Sequence, residues 1–170
     1  MAKKSTNKNS SMNAAYDLLA IIFGGAIFGF LALTHVTGML LGAEIGVASG
    51  YDLISFEEGA NTGVSIMMLL LLIFAGLMVL SAILKLLVDL KVVKGSTFEK
   101  VVTWMMVISA AAVAVIVVVS MIVIPTNFTA EADKITNKVS GNVVNWLPLI
   151  LNAVFGIGSL MVSVLAAKKN

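Results

Sequence analysis

Residues 64–84 read VSIMMLLLLIFAGLMVLSAIL, twenty-one positions without a charged side chain. At about 1.5 Å of rise per residue, a helix of that length crosses the roughly 30 Å hydrocarbon core of a bilayer. In lipid these side chains need no burial against protein, whereas in water they would have to be hidden on every side.

Three more stretches obey the same rule. Working upstream, an apolar run covers residues 18–41, with Asp17 in its first turn where a negative charge suits a helix N-terminus. Downstream, residues 101–124 are dense in Val and Ala and stop at Pro125. The last run covers residues 146–167, with Asn145 placed to cap it, Pro148 in its first turn, and Lys168 and Lys169 beyond its end. The expected fold is an all-α integral membrane protein, a four-helix transmembrane bundle over residues 16–170. Residues 1–15 carry Lys3, Lys4 and Lys8 with no apolar face, and read as a disordered cytoplasmic tail.

Composition points the same way: 59% hydrophobic, 12% charged, and a mean hydropathy of +1.05 over 170 residues. The absence of Cys excludes disulfides and thiolate chemistry. All eleven cationic residues are Lys. This usage suits an AT-rich genome and points to a bacterial or phage source. A lone His without Cys or a carboxylate in helical reach makes no metal site. No phosphate-binding loop, nucleophile triad or basic aromatic strip is present, so neither a cofactor, nucleic acid nor an enzymatic reaction is expected.

Lysine placement sets the expected orientation. Nine Lys flank the two termini and the connection between the second and third runs, whereas the other two loops hold only Lys134 and Lys138. The positive-inside rule puts both termini and the Gly95 connection on the cytoplasmic side of a plasma membrane. Trp104 and Trp146 then fall at interfacial positions. Lys85 and Asp89 can pair four residues apart, with Lys85, Lys91 and Lys94 reaching headgroups. Gly95 followed by Ser96-Thr97-Phe98-Glu99 reads as a helix stop and a capping box in a tight hairpin. A leader ending near Gly46-Val47-Ala48 is the competing reading of the first run and would leave three spans.

Three features carry functional expectations. Gly38, Gly42, Gly46 and Gly50 recur every fourth residue behind Gly25 and Gly29, which reads as a glycine-zipper packing seam between helices of this chain or of neighbouring protomers. A second small-residue face, Asn152, Gly156, Ser159, Ser163 and Ala167, is expected to complement the first helix. His35, with Thr34 and Thr37, reads as a polar site within the first span. Asp52, Glu57 and Glu58 form an acidic outer loop with no cation-binding spacing. Between the third and fourth runs, Thr129 to Gly141 has the caps and apolar spacing of a short extracellular surface helix.

No motif of claudin-like tetraspans or small multidrug transporters is present. The expected partners are the lipid bilayer and other membrane subunits, as a homo-oligomer or within a larger complex. The expected function is that of a non-enzymatic membrane subunit; the alternative is a small channel, holin or transporter with a polar path near His35.

Overall fold

The computed structural model describes residues 3–40, 43–57, 60–128, 130–132 and 139–168. Four helices carry it: α1 (Lys3–Leu31), α2 (Thr62–Asp89), α3 (Ser96–Asn127) and α4 (Trp146–Ala167). Each contains a stretch long and apolar enough to cross a membrane, in α1 from Met12 to Leu31. Each helix packs on its two neighbours in the cyclic order α1, α2, α3, α4, giving an up-and-down bundle.

The reason lies in a seam that repeats on every helix. The buried positions are Asn13, Asp17, Ala20, Gly24, Ile27 and Leu31 on α1, and Val64, Met68, Leu71, Ala75, Met78, Ala82 and Lys85 on α2. On α3 they include Met106, Ala110, Val113, Val117, Ser120 and Ile124; on α4, Leu149, Asn152, Gly156, Ser159, Ser163 and Ala166. Alternating steps of three and four are the heptad spacing, which keeps one stripe of each helix on the bundle axis. Between these stripes, Ile22, Leu80, Trp104, Ile122 and Met161 are exposed on the outside. In lipid that exposure costs nothing, and the helices associate through close packing.

Helix ends follow local chemistry. The Asn61 and Asn145 side chains accept from the backbone N–H groups of Val64 and Leu147 and cap α2 and α4. Helix α2 stops before Gly95: Lys91 takes a left-handed φ of 62°, its N–H donates to the Val88 carbonyl, and the Val92 N–H reaches back to Leu87. That is a Schellman stop built on Lys rather than Gly. Gly95 occupies the N-cap position of α3 with φ 152°, and no side chain caps it, so the expected capping box from Ser96 to Glu99 does not form. Pro125 does not end α3. It sits inside the final turn, where Thr126 Oγ1 and Asn127 Nδ2 donate to the Ile122 and Val123 carbonyls.

The fold is not all-α, because the loops at one end build a sheet. The strands are β1 (Thr34–Leu40), β2 (Ala43–Ser49), β3 (Ala130–Ala132) and β4 (Val139–Val144), ordered β2-β1-β4-β3 and all antiparallel. The first apolar run therefore breaks at Leu31 rather than continuing to residue 41; Leu41 itself lies outside the described residues. Helix α1 instead starts earlier than expected and takes in most of the tail from Lys3 onward, with Asn13 and Asp17 buried. The described parts of the expected surface helix are likewise strand rather than helix. Its ends are β3 and β4, and Thr129 and residues 133–138 lie outside the description. Pairing of Val36, Thr37 and Gly38 with Val144, Val143 and Asn142 joins the two loops and satisfies backbone groups that a helix would have paired internally.

Candidate functional site

Two buried polar sites sit at opposite ends of the bundle. At the end holding the α2–α3 turn, Asp17 of α1 lies one turn below Ala20, and Lys85 of α2 one turn below Ala82. Lys85 Nζ is 2.9 Å from Asp89 Oδ2 and 3.7 Å from Asp17 Oδ2. Asp17 and Lys85 are fully buried and Asp89 is 8% exposed. Heptad position, not chance, turns these groups inward: both Asp17 and Lys85 occupy the seam. Lys85 thus does not reach headgroups as expected; it pairs with Asp89, as expected, and also with Asp17. A cleft of about 430 Å³ reaches this cluster, lined by Asn13, Asp89, Lys91, Lys94, Ser96 and Glu99 among others.

At the other end, His35 sits at the junction of bundle and sheet. The register shifts by one residue between Thr34 and Val36, which makes His35 a β-bulge. Successive strand residues normally face opposite ways, but the bulge buries both His35 and Val36. His35 Nδ1 lies 2.7 Å from the Leu33 carbonyl, and its own carbonyl accepts from the Asn145 N–H at 2.8 Å. His35 Nε2 is buried and bonded to nothing among the described residues. Burial pushes the imidazole below its ordinary pKa of 6.5, opposed by the bond to Leu33. His35 is therefore not within a helical span. Thr34 and Thr37 lie beside it in β1 and are half-buried.

The glycines of the expected seam do not share one helix. Gly25 and Gly29 lie on the outside of α1, with open space where a Cβ would be. Gly38 and Gly46 are cross-strand partners in the sheet, Gly42 lies outside the described residues, and Gly50 forms the turn after β2. Close helix approach uses other glycines. A Cβ on Gly24 would come within 2.5 Å of Met78 and Val79 of α2, and one on Gly156 within 2.8 Å of Val117 of α3. The small-residue face of α4 is buried through Asn152, Gly156, Ser159 and Ser163, but at Gly156 it meets α3 rather than α1.

Asp52 completes a turn: its carboxylate accepts from the Ser49 N–H and hydroxyl, both at 2.8 Å, and those bonds hold it below the usual carboxylate range. Glu57 is exposed and Glu58 lies outside the described residues. No grouping of three or more metal-ligating side chains occurs among the described residues.

Comparison with known protein families, curated proteins and solved structures finds no match to this chain.

Sequence reasoning found the Lys85–Asp89 pair but missed that Asp17 joins it and that Lys85 is buried, because it read Asp17 as a charge at the start of a span and Lys85 as one that reaches headgroups. The signal was available in the three-and-four spacing from Asn13 through Asp17, Ala20 and Gly24 to Leu31, and from Val64 to Lys85, which places these charges on the same stripe as the apolar core.

Proposed function

We propose that this chain is a non-enzymatic membrane subunit that assembles with copies of itself or with a larger membrane complex. The observation that carries the reading is the open edge of β2, seven residues at the margin of the sheet with no strand beyond them among the described residues. An edge strand offers unpaired backbone groups to another chain, and β2 and its neighbour β1 expose Val47 and Leu40. Gly25 and Gly29 support it by leaving a flat strip on the outer side of α1 where a second helix can approach.

In this reading the Lys-rich end and both termini face the cytoplasm of a bacterial or phage-infected cell, and the sheet faces outward. Because the chain has no native Cys, a Val47→Cys variant carries a single thiol. Oxidative cross-linking in native membranes is expected to give a discrete dimer, or an adduct with one co-purifying membrane subunit. Monomer alone, with no companion in mild detergent, would overturn the proposal.

A channel or transporter is the second reading. It is favoured by buried polar atoms without partners among the described residues, namely His35 Nε2, Asn152 Oδ1 and Ser163 Oγ. Against it stands the apolar layer of Ile27, Leu71, Ala75, Val113 and Val117 that fills the axis between the two polar ends. Solute flux in liposomes that falls in His35→Ala would favour this reading over the first.

A further inference from the structure

At the Lys-rich end of the bundle, the groove between α3 and α4 widens into a cavity of about 830 Å³. All of its described lining comes from those two helices, from Ser96 to Val107 on α3 and from Val164 to the C-cap Lys168 on α4. Because neighbouring helices of the bundle run antiparallel, the start of α3 stands beside the end of α4, and polarity changes along the groove. Ser96, Glu99, Lys100 and Lys168 lie toward the helix ends, and Trp104, Val107 and Val164 toward the middle of the bundle.

The length of this gradient matches a membrane surface. Ser96 and Val107 are separated by about 16 Å of helix axis. The headgroup layer on each side of a bilayer is only about 5–7 Å thick, so the groove passes from headgroups into hydrocarbon. Trp104, 66% exposed, stands between its two parts, where an indole suits the boundary.

Charge is uneven at the polar part. Lys100 and Lys168 are exposed, and neither joins an ion pair among the described residues. Glu99 is the one acidic residue of the described lining, which leaves one positive charge in excess. The start of α3, with no side-chain cap, adds partial positive charge at the same level. Further in, Thr103 spends its hydroxyl on the Glu99 carbonyl at 2.8 Å, and half-buried Val107 and Val164 continue the wall as apolar surface.

We propose that this groove binds one anionic phospholipid, with its phosphodiester between Lys100 and Lys168 and an acyl chain along Trp104, Val107 and Val164. The single negative charge of a phosphodiester matches the excess of the lining. A soluble phosphate compound would leave the apolar wall uncovered, and a zwitterionic headgroup would add a cation where positive charge is already in excess. An apolar helix of another subunit would cover the wall but bring the two lysines no anion. The site depends on neither the β2 edge nor Gly25 and Gly29, so it stands apart from assembly. It requires that the helices cross a bilayer, whichever end faces the cytoplasm.

Trp104 reports on the site. In the full chain carrying Trp146→Phe it is the only Trp, and in bilayers its fluorescence is quenched by whichever brominated lipid lies against it. Brominated phosphatidylglycerol is expected to quench it more strongly than brominated phosphatidylcholine at equal mole fraction. Lys100→Gln and Lys168→Gln are each expected to lower that preference about fivefold, the usual worth of one Lys at an anionic surface. Lys91→Gln with Lys94→Gln removes as much charge from the same end but outside this groove, and is expected to leave the preference unchanged. Native mass spectrometry of the wild type needs no substitution: one phosphatidylglycerol is expected to stay bound under conditions that strip phosphatidylcholine. Equal quenching or equal retention of the two lipids would overturn the proposal. So would an equal loss in the two Lys pairs, which would make the preference a general surface attraction. Displacement of the lipid by glycerol 3-phosphate would give the polar part to a soluble compound, and shielding of Trp104 from both brominated lipids would give the groove to another protein; either result overturns it as well.

Discussion

His35 shows how one residue can link three parts of this protein. Its ring packs on Gly50, where a Cβ would lie 3.0 Å from His35 Cε1, and its carbonyl holds the start of α4 through Asn145. Charging a buried imidazole whose second N–H has no acceptor among the described residues is unfavourable, so the folded protein holds His35 below 6.5. A depressed value means that its contribution to stability is present above pH 6.5 and drains away as pH falls through the folded value. Each unit of depression is worth about 1.4 kcal/mol. As the only His in the chain, its imidazole resonances can be followed by NMR without assignment, and the midpoint is expected below 6.5. Acid-induced loss of thermal stability is expected to flatten in His35→Gln; a midpoint above 6.5 would contradict the buried, neutral imidazole.

At the scale of elements, the pairs of glycines on α1 separate two kinds of surface. Gly24 faces α2 so closely that a methyl group would meet Val79 Cγ2 at 2.5 Å, while Gly25, its neighbour, faces open space. Gly24→Ala is expected to destabilise the bundle by about 1–3 kcal/mol, the usual range for overpacking. Gly25→Ala should leave the monomer's stability within about 0.5 kcal/mol, as surface changes generally do. Reversible unfolding in mixed micelles would measure both, and equal effects would mean that the rotation of α1 is wrong. Element ends were only partly legible. Asn145 announced its cap because its side chain acts locally, and the stop at Lys91 was hidden because a left-handed Lys has no sequence signature of its own.

For the whole molecule, the spacing of the two Trp residues fits the thickness of a bilayer. Gly156 meets α3 between Val113 and Val117, Trp146 stands ten residues to one side of that level and Trp104 about eleven to the other. The two exposed rings are therefore about 30 Å apart along the axis, matching a hydrocarbon core. With the Lys-rich end inside, a thiol at Ser96→Cys is expected to resist membrane-impermeant reagents in intact cells and to react once the membrane is opened. Labelling in intact cells would reverse the orientation.

The sequence by itself determined that four stretches are long and apolar enough to cross a membrane, since twenty or so consecutive apolar residues are a property of composition and length that needs no partner. The span at residues 64–84 and the last helix from Trp146 to Ala167 were legible for that reason. Only the tertiary structure decided what becomes of Thr34–Leu40 and Val139–Val144. A short apolar run fits helix or strand equally, and the choice was made by hydrogen bonds between residues more than a hundred positions apart. It also decided that Asp17 and Lys85 face each other, because a charge near a span end reads as its boundary until the helix that buries it is in place.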